Sequence, residues 1–182
     1  MVSLSNLSPG QRSIVSEALK ELEEQLGRPL YDELEGDVVY LFTVEEKRVV
    51  KLGLGWINNV NDVSPVRHLT HLMLLGLSRT DVSDLSPLKN LKELRELDLS
   101  KTNVSDLTPL RGLKKLRVLW LNDTRVSDLT PLKELKELRK LNLWDTDVSD
   151  VSPLGELKKL ERLDLEDTSV SDISPLKNLE NL

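Results

Sequence analysis

Leu72, Leu94, Leu116, Leu138, Leu160 and Leu182 fall 22 residues apart, and this period constrains the chain more than any other feature. Thr80, Thr102, Thr124, Thr146 and Thr168 keep the same interval, as do Pro65, Pro87, Pro109, Pro131, Pro153 and Pro175. Self-similarity at one fixed period means a single structural unit used repeatedly, each copy burying its apolar side against its neighbours. One unit, Leu94 to Lys115, reads L-R-E-L-D-L-S-K-T-N-V-S-D-L-T-P-L-R-G-L-K-K. The abundant leucine and the low aromatic content of 3% fit such stacking of one core residue type.

Each half of the unit has its own physical signature. Leu97 and Leu99 alternate with Glu96, Asp98 and Ser100, the period of a short strand with one face buried. Val104, Leu107, Leu110 and Leu113 then follow at three-residue spacing, which suits a tight 3-10 turn on the opposite side. Thr108-Pro109 reads as a start signal for that turn, with Thr as cap and Pro at the first helical position. Ser64-Pro65, Ser86-Pro87, Thr130-Pro131, Ser152-Pro153 and Ser174-Pro175 repeat it.

The pattern resembles the 22-residue, internalin-like class of leucine-rich repeats, L-x-x-L-x-L-x-x-N-x-[IV]-x-D-[IL]-x-P-L, over residues 49 to 182. The resemblance implies an α/β solenoid with a parallel concave sheet and convex 3-10 or helical turns. Thr80 and its equivalents stand where that class carries Asn; Thr also hydrogen-bonds locally, so the fold is expected to survive the exchange.

A solenoid needs its ends covered. Residues 1–48 read as an N-terminal cap, with a helix over about 9–26 and the first strand of a hairpin. Ser8 to Gln11 makes a capping box, Ile14, Val15, Ala18, Leu19, Leu22 and Leu26 form the apolar stripe, and Gly27 with Pro29 ends it. Val38 to Thr43 and Arg48 to Leu54 read as two strands around Glu45-Glu46-Lys47. This arrangement is similar to the cap of many cytosolic prokaryotic leucine-rich-repeat proteins. Residues 49–182 are the solenoid, one irregular repeat and then regular ones. At the other end nothing in the sequence covers Leu163, Leu165, Val170, Ile173 and Leu176, so the last coil reads as uncapped: a segment of a longer protein, or an end covered by another molecule.

Chemistry is sparse. The absence of cysteine removes disulfides, thiolate metal sites and cysteine nucleophiles, and fits a reducing, cytoplasmic setting. The net charge of -6 argues against a nucleic-acid surface. No apolar run is long enough to span a membrane, and no phosphate-loop, nucleophile-elbow or zincin motif is present. His68 and His71 have a spacing a zinc site could use, but they occupy ordinary solvent positions of the repeat. Asp62, Asp84, Asp106, Asp128, Asp150 and Asp172 form a ladder that could invite calcium; a structural role in accepting backbone N–H groups is the stronger reading. Runs such as Lys133 to Lys140 read as a solvated convex face with pairs at helical spacing. No catalytic, metal or cofactor site is expected, and the chain reads as non-enzymatic.

Variation concentrates on the sheet's solvent face. Its columns run Lys51, Leu74, Glu96, Val118, Lys140, Arg162, then Gly53, Gly76, Asp98, Trp120, Asn142, Asp164. Trp144 follows two positions on in the next repeat, and Trp56 lies beside the first strand. Exposed aromatics with a polar rim are the composition of protein interfaces, so Trp120, Trp144, Val118, Leu74, Trp56, Asn122, Asp123, Asp145 and Glu166 are the expected partner-binding residues. The bland alternative is that the two rings stack on each other and merely cover the sheet. The acidic edge favours a protein partner with basic groups. The leading expectation is a protein-binding module; the alternatives are a regulatory repeat domain of a larger signalling enzyme such as a multidomain GTPase, or an engineered scaffold. End-to-end self-association through the last coil is a further expectation.

Overall fold

After an opening pair of strands of four and six residues, strands of three residues and 3-10 turns of three to five residues alternate along the chain. The computed structural model describes residues 42–45, 48–55 and 60–182; the expected cap helix over 9–26 lies outside them, as does Trp56. Strand β1 (Phe42–Glu45) pairs antiparallel with β2 (Arg48–Gly53), with an irregularity between Thr43 and Val44. From β2 onward every pairing is parallel: β3 (Leu74–Gly76), β4 (Glu96–Asp98), β5 (Val118–Trp120), β6 (Lys140–Asn142) and β7 (Arg162–Asp164) follow in chain order in one sheet. Lys51 is in register with Leu74, 23 residues on, and Leu74 with Glu96, 22 on, so the first repeat is the irregular one.

The sheet's inner face and the turns' inner face close on one core. Leu97 and Leu99 of one coil, with Val104, Leu107, Leu110 and Leu113, are all at most 1% exposed. The turns Ser64–His68, Ser86–Asn90, Thr108–Gly112, Thr130–Leu132, Ser152–Leu154 and Ser174–Leu176 put one apolar residue inward every third position, as the spacing required.

The cap chemistry differs from expectation in one respect. Ser or Thr is the first residue of each turn and not its cap; a leucine, valine or isoleucine sits before it and makes no side-chain cap bond. The Asp ladder takes over the role. The N–H groups of Ser64, Ser86, Thr108, Thr130, Ser152 and Ser174 donate to the Asp two residues earlier at 2.7–2.8 Å. The hydroxyls of Ser64, Ser86 and Ser152 donate to the other carboxylate oxygen. These bonds stabilise the ionised form: the Thr108 hydroxyl and N–H hold the Asp106 carboxyl below its ordinary value, those of Thr130 do the same for Asp128, and the Ser174 N–H and hydroxyl lower Asp172. Among the described residues no group of three or more His, Asp or Glu side chains is placed to hold a metal ion.

Each repeat threonine closes its own coil. Thr80, Thr102, Thr124 and Thr146 are 4–7% exposed, and each hydroxyl donates to the carbonyl of the leucine three residues back at 2.6 Å. The residue before each threonine is left-handed although none is glycine: Arg79, Lys101, Asp123, Asp145 and Asp167 have φ between 52 and 59°. Their geometry is held by the next coil. The N–H groups of Arg79, Lys101, Asp123 and Asp145 donate to the carbonyls of Ser100, Asn122, Trp144 and Glu166 at 2.9–3.0 Å. Asp tolerates this region better than Arg or Lys does.

Two charge expectations are corrected. The surface pairs do not follow helical spacing; Lys115–Glu93, Lys159–Glu137 and Arg139–Glu161 each join residues 22 apart, one coil to the next, because a 3-10 turn of a few residues offers no four-residue neighbour. The Lys115 ammonium lowers the Glu93 pKa, and Lys159 that of Glu137. Lys140 does not belong to the convex run at all: it is the first residue of β6. In the last coil Ile173 is 64% exposed and Leu163, Leu165 and Val170 are partly buried, yet Leu176 is only 9% exposed because its turn packs back on Ser152–Leu154.

Two outcomes follow from this packing. Leu97→Ala should cost about 2–5 kcal/mol in denaturant unfolding, a buried leucine with neighbours on both sides. Thr102→Val, which keeps the shape and deletes the buried hydrogen bond, should cost about 1–3 kcal/mol. Melting with no loss in Thr102→Val would show that the hydroxyl is dispensable.

The lowered carboxyls set the acid response. A folded value below the ordinary 3.8 means that the unfolded chain binds protons first, so the contribution of Asp106, Asp128 and Asp172 is full above that pH and is lost as pH falls through the folded values. Asp106→Asn together with Asp128→Asn should flatten the fall in melting temperature below pH 4, while calcium should leave the melts unmoved. An unchanged acid slope, or a rise in melting temperature with calcium, would assign the ladder another role.

Candidate functional site

Position within the coil decides which side chains reach the open face. In each three-residue strand the middle residue faces the core, buried in β3 to β6 and partly buried in β7, and the outer two stand on the solvent side, so Leu74, Glu96, Val118, Lys140 and Arg162 form one column and Gly76, Asp98, Trp120, Asn142 and Asp164 the next. Val118 and Trp120 are half-buried and Lys140 and Arg162 exposed. Leu74 and Val118 are not adjacent; Glu96 stands between them in register, so the expected apolar patch is divided.

Trp120 lies at the wall of an open hollow of about 350 Å3 over β5–β7, lined also by Lys140, Asn142, Arg162 and Asp164. Trp144 is placed differently. It falls just past β6 and its indole N–H donates to Asp167 Oδ2 at 3.0 Å, one coil on, while its backbone N–H donates to Asn142 Oδ1 at 2.9 Å. The two rings therefore belong to neighbouring parts of one face, the hollow and its rim, and Trp144 does not line the hollow.

The rim is a hydrogen-bonded strip. The Ser100 hydroxyl lies 2.6 Å from Asp98 Oδ1 and 2.7 Å from Asn122 Oδ1, and Asn122 Nδ2 donates to Asp123 Oδ2 at 3.0 Å. Lys101 Nζ stands 3.6 Å from the same Asp123 oxygen. Asn122 and Asp123 are thus engaged with their neighbours, while Asp145 and Glu166 are exposed. A wide groove along the left-handed residues runs beside this strip, from Arg79 and Lys101 at one end to Asp145 and Asp167 at the other, so its charge changes sign along the solenoid.

Of the expected binding residues, the structure brings Trp120 and Val118 together on β5 and gathers Trp144, Asn122, Asp123, Asp145 and Glu166 along the rim; Leu74 stands apart, two strands away from Val118. Lys140 and Arg162 were missed as site residues. Their signal lay in the first of the two sheet columns, where two successive cations follow Leu, Glu and Val.

Comparison with known proteins bears on this architecture. The family model described as "Leucine Rich repeats (2 copies)" matches residues 92–134 and 136–182. An internalin from Listeria monocytogenes superposes with a TM-score of 0.72 at 31% identity, covering 73% of this chain and 39% of that one. Internalin C2 of the same organism gives a TM-score of 0.61 at 27% identity over 94% of this chain and 84% of its own. A leucine-rich-repeat protein of Leptospira interrogans gives 0.63 at 26% over 70% and 34%. The chain thus spans well under half the length of the first and third of these. Comparison with curated protein sequences gives no match. The chain carries leucine-rich repeats and folds as a leucine-rich-repeat solenoid.

Proposed function

We propose that the chain is a non-enzymatic protein-binding module that holds its partner on the concave face. Leucine-rich-repeat proteins typically mediate protein–protein interaction. The observation that carries the reading here is Trp120, a half-exposed indole on a solvent-side strand position beside an open hollow. Indoles at such places dominate interface energetics, and the polar strip beside them supplies a rim. Asp145, Glu166 and Asp167 on that rim favour a partner that brings basic groups to it. The 22-residue spacing and the similarity to internalins support placing the repeats in the internalin-like class, and the cysteine-free composition fits a reducing, cytoplasmic setting.

Trp120→Ala and Trp144→Ala should fold as the parent does, yet lose partners that the parent retains in a pull-down. Truncating a central interface Trp costs on the order of 2–4 kcal/mol of binding. Lys114→Ala, on the convex side, should keep the same partners. Retention of every partner by both tryptophan variants would move the site elsewhere; unfolding of both would make the rings structural.

The last coil offers a second surface. Ile173 and Leu182 are 64% and 48% exposed, an apolar edge that a second copy can cover end to end. Light scattering should show concentration-dependent association, and Ile173→Lys should abolish it. A monomer at all concentrations removes this reading.

A further inference from the structure

Lys140 and Arg162 stand directly opposite each other in register on β6 and β7, and both are exposed. Like charges in that relation destabilise a sheet. On β5 the register partner of Lys140 is Val118. Lys101, Lys114, Lys115, Arg139 and Lys159 all have a carboxylate partner, while Lys140 and Arg162 have none among the described residues.

The rest of the hollow is equally short of acceptors. Asn142 Oδ1 is occupied by the Trp144 N–H, which leaves its Nδ2 to donate. Trp120 adds an indole N–H. Asp164 is the one carboxylate in the lining, and its Oδ1 already accepts the Glu166 N–H at 3.1 Å. Two cations against one anion make this a positive spot on a chain of net charge -6.

We infer, building on the concave-face reading above, that the hollow receives the carboxylate of an Asp or Glu side chain of the partner protein, held by Lys140 and Arg162 with its stem against the Trp120 ring. A guanidinium and an ammonium side by side can both donate charge-assisted hydrogen bonds to one carboxylate. The charge balance selects a carboxylate over a phosphate: two cations and one carboxylate leave the hollow a net charge of about +1, while a phosphoryl group carries about -1.5 to -2 at neutral pH. The partner is therefore two-signed, with an acidic residue over β6–β7 and basic groups at the rim.

The probes are acetyl-Ala-Leu-Glu-Leu-Ala-amide and the same peptide with Gln or phosphoserine in place of Glu, titrated at millimolar concentration while the Trp120 indole N–H is followed by NMR. The Glu peptide should give a saturable shift and the Gln peptide should bind about tenfold more weakly, the ordinary worth of a charged hydrogen bond. The double variant Lys140→Gln, Arg162→Gln should erase that difference while melting at the same temperature or higher, since the repulsion is gone. Equal binding of the Gln peptide, tighter binding of the phosphoserine peptide, or no saturable shift with any of them overturns the inference. In the pull-down, partners lost from Trp120→Ala but kept by the double variant would overturn the carboxylate site and leave concave-face binding standing. Partners kept by Trp120→Ala would remove the concave-face reading itself.

Discussion

A single coil of 22 residues cannot enclose a core, so the core leucines of the repeats depend on the coils beside them. Leu94, Leu97 and Leu99 reach full burial because Leu72, Leu75 and Leu77 lie under them and Leu116, Leu119 and Leu121 lie over them. Everything else in the structure serves to keep that stack in phase. The strand pairs fix the register, the threonine hydroxyls close each coil, and the left-handed residues pass a backbone N–H to the next coil at the point where the strand ends. Stability then resides in interfaces between neighbours and not in any one coil.

The repeat made the fold plain from sequence because leucine positions in a solenoid carry little else than packing. The inward turn positions, the local hydrogen bonding of the threonines and the acidic ladder were all legible from residue type at fixed intervals. What could not be read was geometry that residue identity does not mark. The left-handed column is Asp in three coils but Arg79 and Lys101 in two, and a basic residue gives no hint of positive φ. The convex ion pairs were misassigned because i to i+4 spacing in the sequence looks the same whether the segment is a helix or a short 3-10 turn; the pairs join Glu93 to Lys115 and Glu137 to Lys159 across coils.

The candidate site was partly legible. Trp120 and Trp144 stood out because aromatics are rare in the chain and both broke a polar pattern. Their different circumstances did not: only the coil-to-coil geometry shows that Asp167 takes the Trp144 indole N–H and that Trp120 opens on a hollow. Lys140 stood in the sheet column but was also counted in a run of charged residues whose other charged members lie outside the strand, so its place on the face carried no weight. A charge is conspicuous only once its missing partner can be seen.

The rim bonds across coils have a consequence for recognition. Trp144 is tethered to Asp167, and Asn122 is tied to both Ser100 and Asp123, so that half of the face takes its shape during folding. Side chains already immobilised have little rotational freedom left to surrender when a second molecule arrives. Lys140 and Arg162 are long and untethered, and would be ordered only on contact. The face is stiff on one side and compliant on the other: the rim dictates where a visitor must sit, and the basic pair adjusts to how it arrives.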